Sequence, residues 1–231
     1  MTEHMKENGS STSITSAKEA ISSPHFGDLM IDNFEVVLDH ILKDGLLREI
    51  PAIGTAINMF RLGIDIRNRL FLQKLLRFCN HLEDIPEEER QQFAGRLRVD
   101  DELKRRVGQN LVLLLDRFDD VEQKPVLLSR IFEAYIVGAI NHSLFQKLSA
   151  ALDRIKVYSL PGLLSFYDDP LDWELIDDDT LQDLVLCGLA SMISGEGLIF
   201  GDGSSKNIYR NELGRLFIDV ALKESAQVTV V

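Results

Sequence analysis

The side chains able to do chemistry in this 231-residue chain are few and widely spaced. Five histidines, His4, His25, His40, His81 and His142, include no His-Glu-x-x-His pair, and no two are spaced to share a metal on one helix face. No metal centre is expected from them. Cys79 and Cys187 sit among apolar neighbours, and Cys187 has no histidine close by in the chain. Two such thiols make no disulfide framework and read as small hydrophobes in a reducing, cytoplasmic setting. Gly201-Asp202-Gly203 lacks the Gly-Lys-Ser/Thr ending of a phosphate loop and precedes a strand candidate where a helix would be needed, so it reads as a turn. Carboxylates are numerous, but number without geometry does not single out an acid and a base. No catalytic residue, cofactor or metal ligand is assigned, and the expectation is a protein that is not an enzyme.

Charge offers more. Between Val157 and Ser205 there is no Lys or Arg, while Asp168, Asp169, Asp172, Glu174, Asp177, Asp178, Asp179 and Asp183 accumulate. A hard cation needs several oxygens converging on one point, and Asp177 to Asp179 are as well explained by a helix N-terminus, where carboxylates meet the positive dipole end. This acidic segment is taken as a candidate contact face for a protein partner.

The opposite charge gathers earlier. Wound as a helix, positions 61, 65, 69, 73 and 77 align as Arg, Asp, Arg, Gln, Arg, and Ile57, Phe60, Ile64, Phe71, Leu75, Phe78 and Leu82 cover the other face. Arg61, Arg67, Arg69, Lys74 and Arg77 against Asp65 alone leave a local positive excess. Two readings fit: a central core helix with a narrow wet stripe, or a basic amphipathic helix that lies on anionic lipid. The small apolar run Ile50 to Phe60 falls short of the roughly 20 residues a membrane span needs.

These residues need elements to hold them. The chain is 45% hydrophobic and 27% charged, ordinary for a globular protein that buries a core. A net charge of −12 opposes nonspecific binding to nucleic acid or anionic lipid unless basic residues segregate. Residues 1–27 are rich in Ser and Thr, poor in large apolar residues and without an uninterrupted apolar core after the initial Met, so they read as a disordered arm and not a signal peptide.

Residues 28–158 carry apolar residues at helical spacing and read as a helical bundle. A first helix is expected over Leu29–Leu42, and Pro86 with Glu87, Glu88 and Glu89 opens a short helix that buries Phe93 and Leu97. Asp100 caps a helix from Asp101 to about Phe118, whose Lys104-Arg105-Arg106 reads as a solvated cluster. Pro125 starts another, ended by Gly138, and Asn141 caps one that runs to about Ile155.

A boundary is placed near residue 160, at Leu160-Pro161-Gly162, followed by a winged-helix-like domain over 159–223 and a frayed tail over 224–231. There a helix from Thr180 to about Ile193 precedes two strand candidates, Leu198–Phe200 and Ile208–Arg210, and Asn211 caps a last helix, Glu212 to about Leu222. The fold class expected is mainly α, a helical bundle followed by a small winged-helix-like α+β unit.

The phrases Leu-Cys-Gly-Leu at 186–189 and Ile-Tyr-Arg-Asn-Glu-Leu-Gly-Arg-Leu-Phe at 208–217 resemble the ending of bacterial winged-helix modules. They also resemble the C-terminal part of the abortive-infection alpha family, bacterial proteins linked to phage resistance. The resemblance covers about the last 50 residues, and Asn211 stands where such modules often have Thr. It implies a phage-defence component. Were the module a DNA reader, Thr180–Ile193 would enter the major groove, yet it holds Asp183 and no Lys or Arg; only Lys206, Arg210 and Arg215 are candidate nucleic-acid contacts.

The leading expectation is therefore a non-enzymatic interaction protein working through protein contacts. Arg61, Arg67, Arg69, Lys74 and Arg77, with Asp177, Asp178 and Asp179, are its candidate partner or lipid contacts. The alternatives are a membrane-active protein using residues 50–78, peripheral at the inner membrane face, and a winged-helix DNA-binding regulator. The many Leu, Ile and Phe also leave room for a dimer seam.

Overall fold

Periodic apolar residues separated by capping side chains become helices in the computed structural model. It describes Leu46, Glu49, Ile50, Ile53, Gly54 and the runs 66–82, 84–168, 176–192 and 208–223. The expected helix Leu29–Leu42, the strand candidate Leu198–Phe200, the arm and the tail lie outside the described residues. Those described are mainly helical, with one small two-stranded sheet, and they divide into two compact units, Met1–Val126 and Leu127–Val231.

The first unit contains α1 (Ile66–Leu82), α2 (Glu87–Val99) and α3 (Asp101–Arg117), with α1 and α2 both packed on α3. On α1 the expected apolar face is buried at Phe71, Leu75, Phe78 and Leu82, and Leu72, Leu76 and Cys79 widen it. Phe93 and Leu97 of α2 and Val107, Leu111 and Leu115 of α3 complete this core, together with Leu46, Ile50 and Ile53. Pro86 stands at the N-cap of α2 ahead of three glutamates. The Asp100 carboxylate accepts the Leu103 N–H at 2.8 Å, a local bond that begins α3 where the sequence places it.

The helix α4 (Gln123–Ile136) starts two residues before the proline expected to open it. Asp120 is the cause: its Oδ1 accepts backbone N–H groups from Glu122, Gln123 and Lys124 at 3.1, 2.5 and 2.9 Å. Pro125 then falls in the first turn, where its missing N–H costs nothing.

The second unit takes up the rest of α4, then α5 (His142–Arg154), a 3₁₀ turn Val157–Ser159, α6 (Leu160–Asp168), α7 (Asp178–Leu186), β1 (Ala190–Met192), β2 (Ile208–Arg210) and α8 (Glu212–Phe217). A π-helical turn, Ile218–Leu222, extends α8. Gly138, at φ +79°, lets the chain leave α4, and the Asn141 side chain accepts Leu144 N–H at 2.9 Å to begin α5. Leu160-Pro161-Gly162, read as a boundary, forms the first turn of α6, a position that accepts proline. Phe132, Tyr135, His142 and Phe145 cluster around a Tyr135–Phe145 stack with centroids 5.0 Å apart.

The helix expected to reach Ile193 stops at Leu186. Gly188 adopts φ +84°, its N–H reaches Val185 O at 3.1 Å, and Leu189 N–H reaches Leu184 O at 2.9 Å, the paired bonds of a Schellman stop. Leu189 and Leu184 are both fully buried beneath it. The chain turns at once into β1, which pairs antiparallel with β2 in the register Ala190↔Arg210, Ser191↔Tyr209, Met192↔Ile208. The strand partner of Ile208–Arg210 is thus Ala190–Met192, formed by residues that periodicity alone had assigned to the helix.

Candidate interaction face

In the winged unit, the helix in the recognition position is α7. Asp177 caps it: Oδ1 accepts the Thr180 N–H and Oδ2 the Thr180 hydroxyl, each at 2.8 Å. Those bonds, the backbone one first, hold the Asp177 carboxyl below its ordinary pKa. Asp178, Asp179, Gln182 and Leu186 are exposed, whereas Thr180, Leu181 and Leu184 are buried. Asp177 thus serves as the cap of its own helix, and Asp178 and Asp179 follow it as exposed residues of the first turn.

Two neighbours fix this helix. The Lys156 backbone N–H donates to Asp183 Oδ2 at 2.9 Å, tying the 3₁₀ turn to α7. Gly162 of α6 lies so close that an added Cβ would strike Thr180 Cγ2. Behind the sheet, Tyr167 is the centre of a hydrogen-bond network: its hydroxyl lies 2.7 Å from Leu189 O and 3.1 Å from Asn211 O, and accepts the Asn211 N–H at 2.8 Å. Burial, the largest influence, raises the Tyr167 pKa. Asn211 in turn accepts Gly214 N–H at 2.8 Å, capping α8, and its amide donates to Gly188 O at 3.0 Å. Gly214 has no room for a side chain, since a Cβ there would overlap Leu189 O and the Tyr167 hydroxyl.

The candidate nucleic-acid residues are dispersed in role. Arg210 donates to Phe166 O at 2.6 Å and lies over the Phe166 ring, so its guanidinium helps join β2 to α6. Arg215 is exposed on α8, and Lys206 lies outside the described residues.

The basic stripe of the first unit is likewise divided. Arg61 lies outside the described residues, Arg67 belongs to the first turn of α1, and Arg69 is exposed. Lys74 is turned inward: it is 6% exposed, and its ammonium donates to Phe118 O at 2.5 Å and Asp116 O at 3.3 Å. The carbonyls at the end of α3 carry the negative end of its dipole, which favours an ammonium there. Arg77 is mostly buried and lies 3.7 Å from Glu122. Within Lys104-Arg105-Arg106, Lys104 pairs with Glu49 at 3.1 Å and Arg106 with Glu102, while Arg105 donates to Gln109 at 3.2 Å.

Other chemistry is sparse. Burial pushes the Cys187 thiol up to about 11, so it remains protonated at neutral pH, and Cys79 is buried as well. Among the described residues no group of three or more His, Cys, Asp or Glu side chains is placed to hold a metal ion, and no helix is long and apolar enough to cross a membrane.

Two side chains the sequence reading passed over are the large apolar Leu186 and Tyr158, each 68% exposed. Leu186 carried a signal, for it lies off the stripe formed by Leu181 and Leu184. Tyr158 carried none, because a single residue in a 3₁₀ turn has no periodicity.

Fold and side chains together define a mainly helical protein with a small winged-helix-like unit whose recognition-position helix shows water acids and one leucine. No protein-family model, no curated protein and no solved structure matches this chain.

Proposed function

We propose that this chain is a non-enzymatic interaction protein that acts through protein contacts, as a component of a bacterial phage-defence system of the abortive-infection kind. The observation that carries the interaction reading is the solvent face of α7. It presents Asp178, Asp179, Gln182 and Leu186 and no cation. A helix reading DNA from this position meets phosphates on both sides of the groove and draws most of its affinity from Lys and Arg. A protein partner has no such requirement. The phage-defence part rests on the resemblance of residues 186–189 and 208–217 to the abortive-infection alpha family. A cytoplasmic setting agrees with two free, buried cysteines.

The experiment is capture of the tagged, nuclease-treated chain from its native host without detergent, with protein and lipid both identified, alongside a plating assay against phage. Expected is a protein partner at stoichiometric level and reduced phage plating when the chain is present. A salt-dependent shift of duplex DNA at about 50 mM salt, or lipid recovered without protein, would overturn the interaction reading. Unchanged plating across a phage panel would remove the defence part.

A further inference from the structure

The geometry points to the solvent face of α7, together with the turn carrying Tyr158, as the docking site, and to its occupant as a partner-protein segment with apolar side chains flanked by Lys or Arg. This rests on the interaction reading above and specifies its partner. Leu186 and Tyr158 are the most exposed large apolar side chains among the described residues of Leu127–Val231. The bond from Lys156 N–H to Asp183 brings their elements together. Tyr158 lies two residues beyond the donor, and Leu186 follows the acceptor by three, about one helical turn.

The positions are also prepared. Leu186 precedes the Schellman stop at Gly188, and the Tyr158 turn is closed by Ser159 N–H on Lys156 O at 3.0 Å and runs directly into α6. Anchors held this way lose little freedom when a partner covers them, and aromatic side chains are enriched where binding energy concentrates.

Charge selects the occupant. Asp178 and Asp179 are exposed on the first turn of α7, and Asp168 is exposed at the end of α6, which packs against α7. Asp183 adds to the same field, while Arg154 and Lys156, exposed at the end of α5 and the start of the turn, are the cations nearest in sequence to Tyr158. Along α7 the acids Asp178, Asp179 and Asp183 outnumber the neighbouring cations Arg154 and Lys156, so a segment carrying Lys or Arg beside its apolar residues is attracted. Anionic lipid headgroups and nucleic acid are repelled by the same carboxylates.

The test uses the full chain and two labelled helical peptides of equal length, one built from Leu and Lys and one from Leu and Glu, titrated by fluorescence anisotropy. The Leu/Lys peptide is expected to bind and to weaken as salt rises, and the Leu/Glu peptide to remain unbound. Leu186→Glu combined with Tyr158→Ser should weaken binding about 30-fold, and Asp178→Lys with Asp179→Lys about 3- to 10-fold. Leu113→Ser, at a comparably exposed leucine on α3, should leave binding unchanged. Equal binding of the two peptides, or full affinity in the Leu186/Tyr158 variant, overturns the site. The same variant in host capture separates the two levels of inference. A partner lost from a variant with unchanged circular dichroism supports this face. One retained by the variant overturns the face and leaves the interaction reading standing, and none on either chain overturns both.

Discussion

The charged stripe of α1 and that of α7 look alike as sequence, each a helix face with ionic side chains beside apolar ones, yet the fold treats them in opposite ways. On α1, Lys74 points inward to the last carbonyls of α3, and Arg77 is mostly covered. On α7, Asp178 and Asp179 face water, and Asp177 is spent on its own first turn. The difference lies in where the counter-charge resides. For α7 it is local, the N–H groups of its own first turn. For α1 it is the end of α3, separated from Lys74 by 42 and 44 residues. A helical stripe of charge therefore indicates a contact face only after distant dipoles have been accounted for.

The largest expected effect tests that statement on α1. Lys74→Ala should destabilise the first unit by about 3 kcal/mol, since it leaves carbonyls at the end of α3 without the ammonium and opens a cavity around the lost stem. Lys74→Met, which keeps the stem, should cost about half as much. Leu186→Ser on α7 should stay within about 0.5 kcal/mol, as exposed positions do. Urea unfolding of the three variants gives the comparison directly. A Lys74→Ala chain as stable as the parent would mean that the α1 stripe faces outward like that of α7.

The next effect concerns how α7 and the sheet are held. Gly214→Ala should cost about 2 kcal/mol, because the new methyl group meets Leu189 O and the Tyr167 hydroxyl. Tyr167→Phe, which removes that hydroxyl, should cost about 1–2 kcal/mol and leave the Asn211 N–H without its acceptor. The two changes act on one network, so the double variant should cost less than the sum of the singles. Strict additivity in thermal unfolding would show that Tyr167 and Gly214 are independent.

How much of this was legible follows from the range of the interactions. Asp100, Asn141 and Asn211 are recognisable as caps because each bond closes within three residues. The buried face of α1 is visible for the same reason, since periodicity is local. The stop of α7 was missed because Leu189 and Met192 continue the apolar spacing, and only the positive φ of Gly188 with its two backbone bonds marks the end. The start of α4 was displaced because proline hides the role of Asp120. Lys74 had no local signal at all. On the candidate face, the acids were legible from composition, but Leu186 and Tyr158 needed the packing of α7 on the turn.

Gly188→Ala probes that stop with a smaller expected effect. An alanine at φ +84° should cost about 1–2 kcal/mol, with space itself no obstacle because the nearest side-chain atom, Leu213 Cδ2, is 4.0 Å from the new Cβ. If the helix instead lengthened toward the expected Ile193, circular dichroism would show more helix and β1 would lose its pairing with β2. An unchanged helix content with reduced stability supports a stop imposed by the tertiary fold and only eased by glycine.

The smallest effect separates the three aspartates at the start of α7. The Asp177 carboxyl is held below its ordinary pKa because its charged form accepts bonds from Thr180. A depressed carboxyl stabilises the fold above its unfolded pKa, and that stabilisation fades as pH falls through the folded value. Asp177→Ala should therefore lower the thermal midpoint at neutral pH, with the gap to the parent closing as acid protonates the carboxyl. Glu49, whose pKa is lowered by hydrogen bonds from Arg98 and Lys104, makes a similar contribution that both chains retain. The gap, not the absolute midpoint, is thus the quantity to follow. A gap that persisted unchanged into strong acid would mean that the neutral carboxyl caps α7 as well as the charged one, which would free the charge of Asp177 to act alongside Asp178 and Asp179 toward a partner.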